Sequence, residues 1–107
     1  MAWQVAFGDE LDGEFEELSQ TVQDELLALA KLLGEFGPRL SRPHADTLGN
    51  SSFANMKELR FEADGGVWRV AFAFDPERKA ILLAAGDKSG VSEKRLYKTL
   101  IARADKR

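Results

Sequence analysis

The chain has 107 residues, 44% of them hydrophobic and 31% charged, with a formal net charge of −3. These values point to one globular domain over residues 1–107 and leave no room for a second core. Zero cysteines exclude a disulfide framework and a thiolate metal site, and a single histidine leaves only carboxylates for a hard metal.

WQVAF at 3–7 reads as a short first strand ended by Gly8-Asp9. No basic region with a following apolar stretch opens the chain, and the longest apolar run, AILLAA at 80–85, is far short of a bilayer span. A cytoplasmic protein without membrane association is therefore expected. From Leu11 to Phe36 the apolar positions step by three and four, which is helical period. Ser19-Gln20-Thr21 supplies capping residues, and Thr21 followed by Asp24 fits a helix restart. The reading is a helical hairpin, with one helix to about Leu18 and a longer one to about Glu35, closed by Gly37-Pro38.

Residues 38–55, PRLSRPHADTLGNSSFAN, hold two prolines, polar turn formers and little periodicity. This is expected to be a loop, and a loop of such length in a small domain is often functional. NMKELRFE and VWRVAFAFD then pair across ADGG, a hairpin turn signal, and KAILLAAG follows as an interior strand. A final helix capped by Ser89 or Ser92 carries Leu96, Leu100, Ile101 and Ala104 as its apolar stripe. The expected fold is α+β, in the order β-α-α-β-β-β-α, with a helical hairpin and a C-terminal helix on a mainly antiparallel four-stranded sheet.

Charge is unevenly distributed. Residues 1–38 carry nine acids against the single base Lys31, whereas the rest of the chain carries fourteen bases against nine acids. The acidic total argues against indiscriminate nucleic-acid binding but leaves the second part able to hold a polyanion.

Alternation places Lys57, Leu59 and Phe61 on one face of their strand and Glu58 and Arg60 on the other. On the partner strand Trp68, Val70, Phe72 and Phe74 make an apolar face opposite Arg69, Ala71 and Ala73. With Asp64-Gly65 as the turn, Arg60 lies directly across from Arg69, an arrangement that costs about 0.2–1 kcal/mol in ordinary surroundings. With Gly65-Gly66 as the turn, Arg69 faces Glu62 instead. In both registers the arginines share the face away from the aromatic residues, and the small Ala71 and Ala73 leave room above the sheet for a large anion. Two guanidinium forks on a rigid sheet suit a phosphodiester, although both arginines are equally suited to ion pairs with the acidic helices.

The pieces RPHADTL, ANMKELRF, WRVAFAFDP, GDKSG and KRLYK together make the chain resemble the HigB-like, phage-derived branch of the RelE/ParE toxin superfamily. The resemblance implies a toxin of a bacterial type II toxin–antitoxin pair with the microbial-RNase-like fold. It further implies an mRNA endoribonuclease acting in the ribosomal A site without a metal or other cofactor, by attack of a ribose 2′-OH on the adjacent phosphate. By the resemblance, Arg69 stabilises the transition state, Lys88 of GDKSG supplies a cation, and Tyr97 stacks a base or assists proton transfer. Lys57 and Arg60, as K-x-x-R, are by the resemblance substrate-backbone contacts or base candidates, and the lone His44 is expected to contact substrate; for His44 a proton-transfer role and a loop-surface role both stay open. The implied partners are the ribosome with its mRNA and a helix-turn-helix antitoxin, with DNA reached only through that antitoxin. Two other readings remain: a gyrase inhibitor of ParE type without chemistry, and an inactive toxin-derived binding module.

Overall fold

The computed structural model describes residues 3–47, residues 56–87 and Lys98. Five strands form one sheet in the order β1-β5-β4-β3-β2, with β1 at Gln4–Phe7, β2 at Ala45–Thr47, β3 at Met56–Ala63, β4 at Gly66–Phe74 and β5 at Lys79–Asp87. Every pairing is antiparallel except that of β1 with β5. The sheet thus has five strands where four were expected, because the 38–55 segment contributes β2. Three residues with prolines on one side carry too short a pattern to be read as a strand. The expected C-terminal helix lies outside the described residues apart from Lys98, which is helical.

Helix α1 spans Asp9–Phe15 and α2 spans Gln20–Phe36. Asp9, Glu10 and Asp12 occupy the first turn of α1, where acidic side chains complement the helix dipole. The restart of α2 is set by Ser19 rather than Thr21: the Ser19 hydroxyl accepts from the Val22 N–H at 3.3 Å and also bonds the Asp64 carboxylate in the β3–β4 turn. That side chain therefore ties the start of α2 to the hairpin. At the other end, Gly37 adopts φ +54, and a Cβ there would lie 2.3 Å from the Trp3 indole nitrogen. Only glycine satisfies both the turn and the packing.

Val22, Leu26, Leu29 and Leu33 form the buried stripe of α2, and the three leucines share one core cluster with Leu59, Val70, Phe72 and Leu82 from the inner face of the sheet. Each such side chain contributes roughly 1.5–3 kcal/mol through removal from water. On the outer face Met56, Ala71, Leu83 and Ala84 form a second, smaller cluster. Ala71 is completely buried and Ala73 half-buried, so the room expected above the two alanines is closed at Ala71. Among the described residues no helix is long and apolar enough to cross a membrane.

Candidate functional site

Asp64 and Gly65 both have positive φ, +52 and +71, and form the two-residue turn whose twist matches that of the strands it joins. This turn decides between the two registers: Ala63 pairs with Gly66, Phe61 with Trp68, and Arg60 with Arg69. Two guanidinium stems are therefore directly opposed on the outer face of a β hairpin.

Glu58 moderates the conflict. It lies on the same face two residues before Arg60, with Oε2 3.8 Å from Arg60 Nε and Oε1 4.0 Å from Arg69 Nε. Glu58 and Arg69 are both buried, whereas the Arg60 side chain keeps a quarter of its surface exposed. Arg69 Nη1 also donates to the Trp68 carbonyl at 2.9 Å, folding its guanidinium against its own strand. The arginines thus gather round a carboxylate of β3.

The neighbouring strand makes way for this arrangement. Between Ala71↔Ala84 and Phe72↔Leu82 the pairing of β4 with β5 shifts by one residue, a bulge that places Leu83 outside the ladder. The bulge resets the alternation of β5, so that Gly86 comes opposite Arg69. No side chain from β5 competes with the arginine at that position.

Open volume lies at the edge of β3 instead of above its centre. Pairing with β2 ends at Ala45↔Leu59, and the Arg60 N–H then donates to the His44 carbonyl at 2.8 Å. Beyond that point a cleft of about 730 Å³ runs between β3 and α2. Arg42, His44, Arg60 and Arg69 contribute cations or proton carriers to its walls, Glu25 and Glu62 contribute acids, and Leu29, Leu32 and Phe61 contribute apolar surface.

The structure therefore brings Arg60, Arg69 and His44 to one cleft. Lys57, opposite Phe72, lies on the other face of the sheet and does not join them. Lys88 and Tyr97 lie outside the described residues. Sequence reasoning put Glu58 on the face of Arg60 but gave it no role, and passed over Arg42. For Glu58 a signal existed, since residues 58, 60 and 69 have the parity of one face; Arg42 is too far from any regular element for parity to place it.

A family model described as phage derived protein Gp49-like (DUF891) matches residues 13–107. The chain is 44% identical over 93 residues to a Mycobacterium tuberculosis protein named as a candidate toxin, HigB3; the match covers 87% of this chain and 79% of that one. A second protein of the same organism, candidate toxin HigB2, is 45% identical over 74 residues, covering 68% of this chain but 37% of its own length. Among solved structures, a mutant of the E. coli toxin RelE in the free state is similar with a TM-score of 0.65 at 15% identity, covering 95% of this chain and 96% of that chain. A chain of the archaeal RelE–RelB complex from Pyrococcus horikoshii OT3 is similar with a TM-score of 0.60 at 14% identity, covering 85% of this chain and all of its own. These two likenesses bear on the fold alone.

Proposed function

The chain belongs to the phage-derived Gp49-like family, and from that premise we propose that it is the toxin of a type II toxin–antitoxin pair and cuts messenger RNA on the ribosome. The observation that carries the chemical part is the direct pairing of Arg60 with Arg69 on a rigid hairpin, beside a cleft of nucleotide size. Glu58 offsets part of the repulsion in this like-charge pair, from beyond hydrogen-bonding range, and a phosphate held by the two forks offsets the rest.

In the reaction, the ribose 2′-OH attacks the adjacent phosphorus while the bond to the 5′-oxygen breaks, leaving a 2′,3′-cyclic phosphate and a free 5′-hydroxyl. One proton leaves the attacking hydroxyl and one is delivered to the departing oxygen. The phosphorane between these steps carries extra negative charge, and donors fixed in advance stabilise it most. Arg69 is assigned that role because its guanidinium is held against the Trp68 carbonyl and approached by Glu58. Arg60, more exposed, grips the substrate backbone. Lys88 and Tyr97 are assigned to charge stabilisation and to base stacking or proton transfer, as the resemblance implies. Delivery by the ribosome suits an acidic chain, since the mRNA is already positioned and bulk affinity for free RNA is not required. The partner that silences the toxin is a cognate antitoxin, which the relatives named as toxins support; its DNA-binding helix-turn-helix is what the family resemblance implies.

The test maps mRNA 5′ ends in translating cells after induction of wild type, Arg69→Gln and Arg60→Ala, with folding of each checked by circular dichroism. New ends within A-site codons that vanish for Arg69→Gln and decline for Arg60→Ala are expected. Growth arrest by wild type with no such ends, together with lost supercoiling activity, would transfer the function to gyrase inhibition.

A further inference from the structure

Beyond the arginine pair, the cleft extends along β3 to surfaces that the cleavage chemistry does not use. Its far wall is Phe61, whose ring lies parallel to that of Trp68 at 7° and 6.3 Å between centroids. Phe61 lines the cleft, whereas Trp68 lines a separate hollow beside Leu11 and Leu18. The rim is the turn bearing Arg42, Pro43 and His44, all exposed. Arg42 is held there by Asp46, through Nη2 at 2.7 Å and Nε at 2.8 Å, which fixes the orientation of its planar fork. Arg60 is the member of the pair next to the rim, its N–H bonded to the His44 carbonyl; its approach to Glu58, at 3.8 Å, is beyond hydrogen-bonding range.

Acids and bases nearly balance around this volume, with Glu25 and Glu62 on its walls and Asp46 on Arg42. A long-range field is therefore not what fills it. What remains is short-range: guanidinium N–H groups, an aromatic ring and its aliphatic neighbours, Leu29 and Leu32, lining one volume. A ligand that satisfies both has a flat face and an anionic strut. A volume of about 730 Å³ suits one nucleotide with part of the next.

We propose that this extension of the cleft is a nucleotide subsite, which holds the residue of a single-stranded RNA that neighbours the scissile phosphate. Its base lies against Phe61, and its phosphate lies between Arg60 and the Arg42–His44 rim. The assignment rests on the nuclease reading above and adds to it the place where the flanking base is held. Base stacking on an aromatic side chain is sequence-tolerant, so the subsite anchors the strand without reading it. Selection between codons then comes from elsewhere.

The experiment uses the full-length protein on ribosomes programmed with a short mRNA carrying 4-thiouridine at one position at a time around the A-site codon, with a 2′-O-methyl group blocking the cut. After irradiation, crosslinked peptides are identified by mass spectrometry, and unblocked mRNA run in parallel reports cleavage. The expected result is a crosslink to the peptide containing Phe61 from a nucleotide adjacent to the cut. It should fall about tenfold in Phe61→Leu, which keeps an apolar side chain but removes the ring. The exposed rim supplies variants with little bearing on folding: Arg42→Ala with His44→Ala should lower the same yield several-fold.

Crosslinks confined to other parts of the chain, with unblocked mRNA still cut, would overturn the subsite and leave the nuclease reading standing. Absence of cutting by wild type would overturn both. Protection of Arg42 and His44 by the antitoxin, with no RNA crosslink nearby, would make this edge of β3 a protein-binding surface and refute the proposal.

Discussion

Replacing Glu58 by glutamine removes one negative charge and almost no volume from a buried position between two guanidinium groups. At 3.8 and 4.0 Å, each contact carries a gross attraction of about 4 kcal/mol at an effective dielectric constant near 20. Repulsion between Arg60 and Arg69 and the desolvation of the carboxylate offset much of this. Breaking a fully buried pair by removing one partner costs about 3–5 kcal/mol. Because Arg60 reaches solvent and both separations are long for ion pairs, the expected loss for Glu58→Gln is nearer ~2–3 kcal/mol. For a chain of this size that lowers the melting temperature by roughly 10–20 °C. Thermal unfolding followed by circular dichroism, at low salt and in molar salt, measures it. The deficit should persist in salt, since screening acts mainly on exposed charges. A double-mutant cycle with Arg69→Gln should return a coupling of at least about 1 kcal/mol. A melting temperature within about 2 °C of wild type would mean that the carboxylate does not hold the pair, and that the arginines tolerate one another unaided.

Two other outcomes follow from the geometry. Ser19→Ala removes both the cap on Val22 and the bond to Asp64, and should cost ~1 kcal/mol or somewhat more, a fall of about 4–8 °C in the same melting assay. Lys57→Ala should reduce mRNA cutting far less than Arg60→Ala, because the sheet separates Lys57 from the arginine pair; equal losses in the 5′-end assay would place the substrate on both faces and refute the assignment.

The hairpin was legible because its turn chemistry is local. Asp64 and Gly65 tolerate positive φ, and once that turn is chosen every cross-strand pair down to Arg60↔Arg69 follows. The stripe of α2 was legible for the same kind of reason, since Val22, Leu26, Leu29 and Leu33 keep helical spacing. β2 was not, because Ala45–Thr47 gains its ladder only from β3, a partner outside its own segment. The bulge in β5 was hidden by uniformity: in AILLAA every position is apolar, so two registers differing by one residue bury equally hydrophobic side chains. Alternation likewise assigned Ala71 and Ala73 to the arginine face but gave no information on what covers that face, and the open volume proved to lie at its edge.

The parallel union of β1 with β5 has a consequence for the order in which a ribosome delivers this protein. Gln4 pairs with Lys79, about 75 residues further along the chain. At roughly 5–20 residues per second, β1 emerges between about 4 and 15 s before its neighbour exists. During that interval the N-terminal third can form its helical hairpin, but it has no sheet to cover. The arginine pair on β3 and β4 likewise lacks the strand on which Gly86 makes room for Arg69. The sheet that carries the arginine pair is thus closed only after β5 has been made, well after the helical hairpin that packs on it.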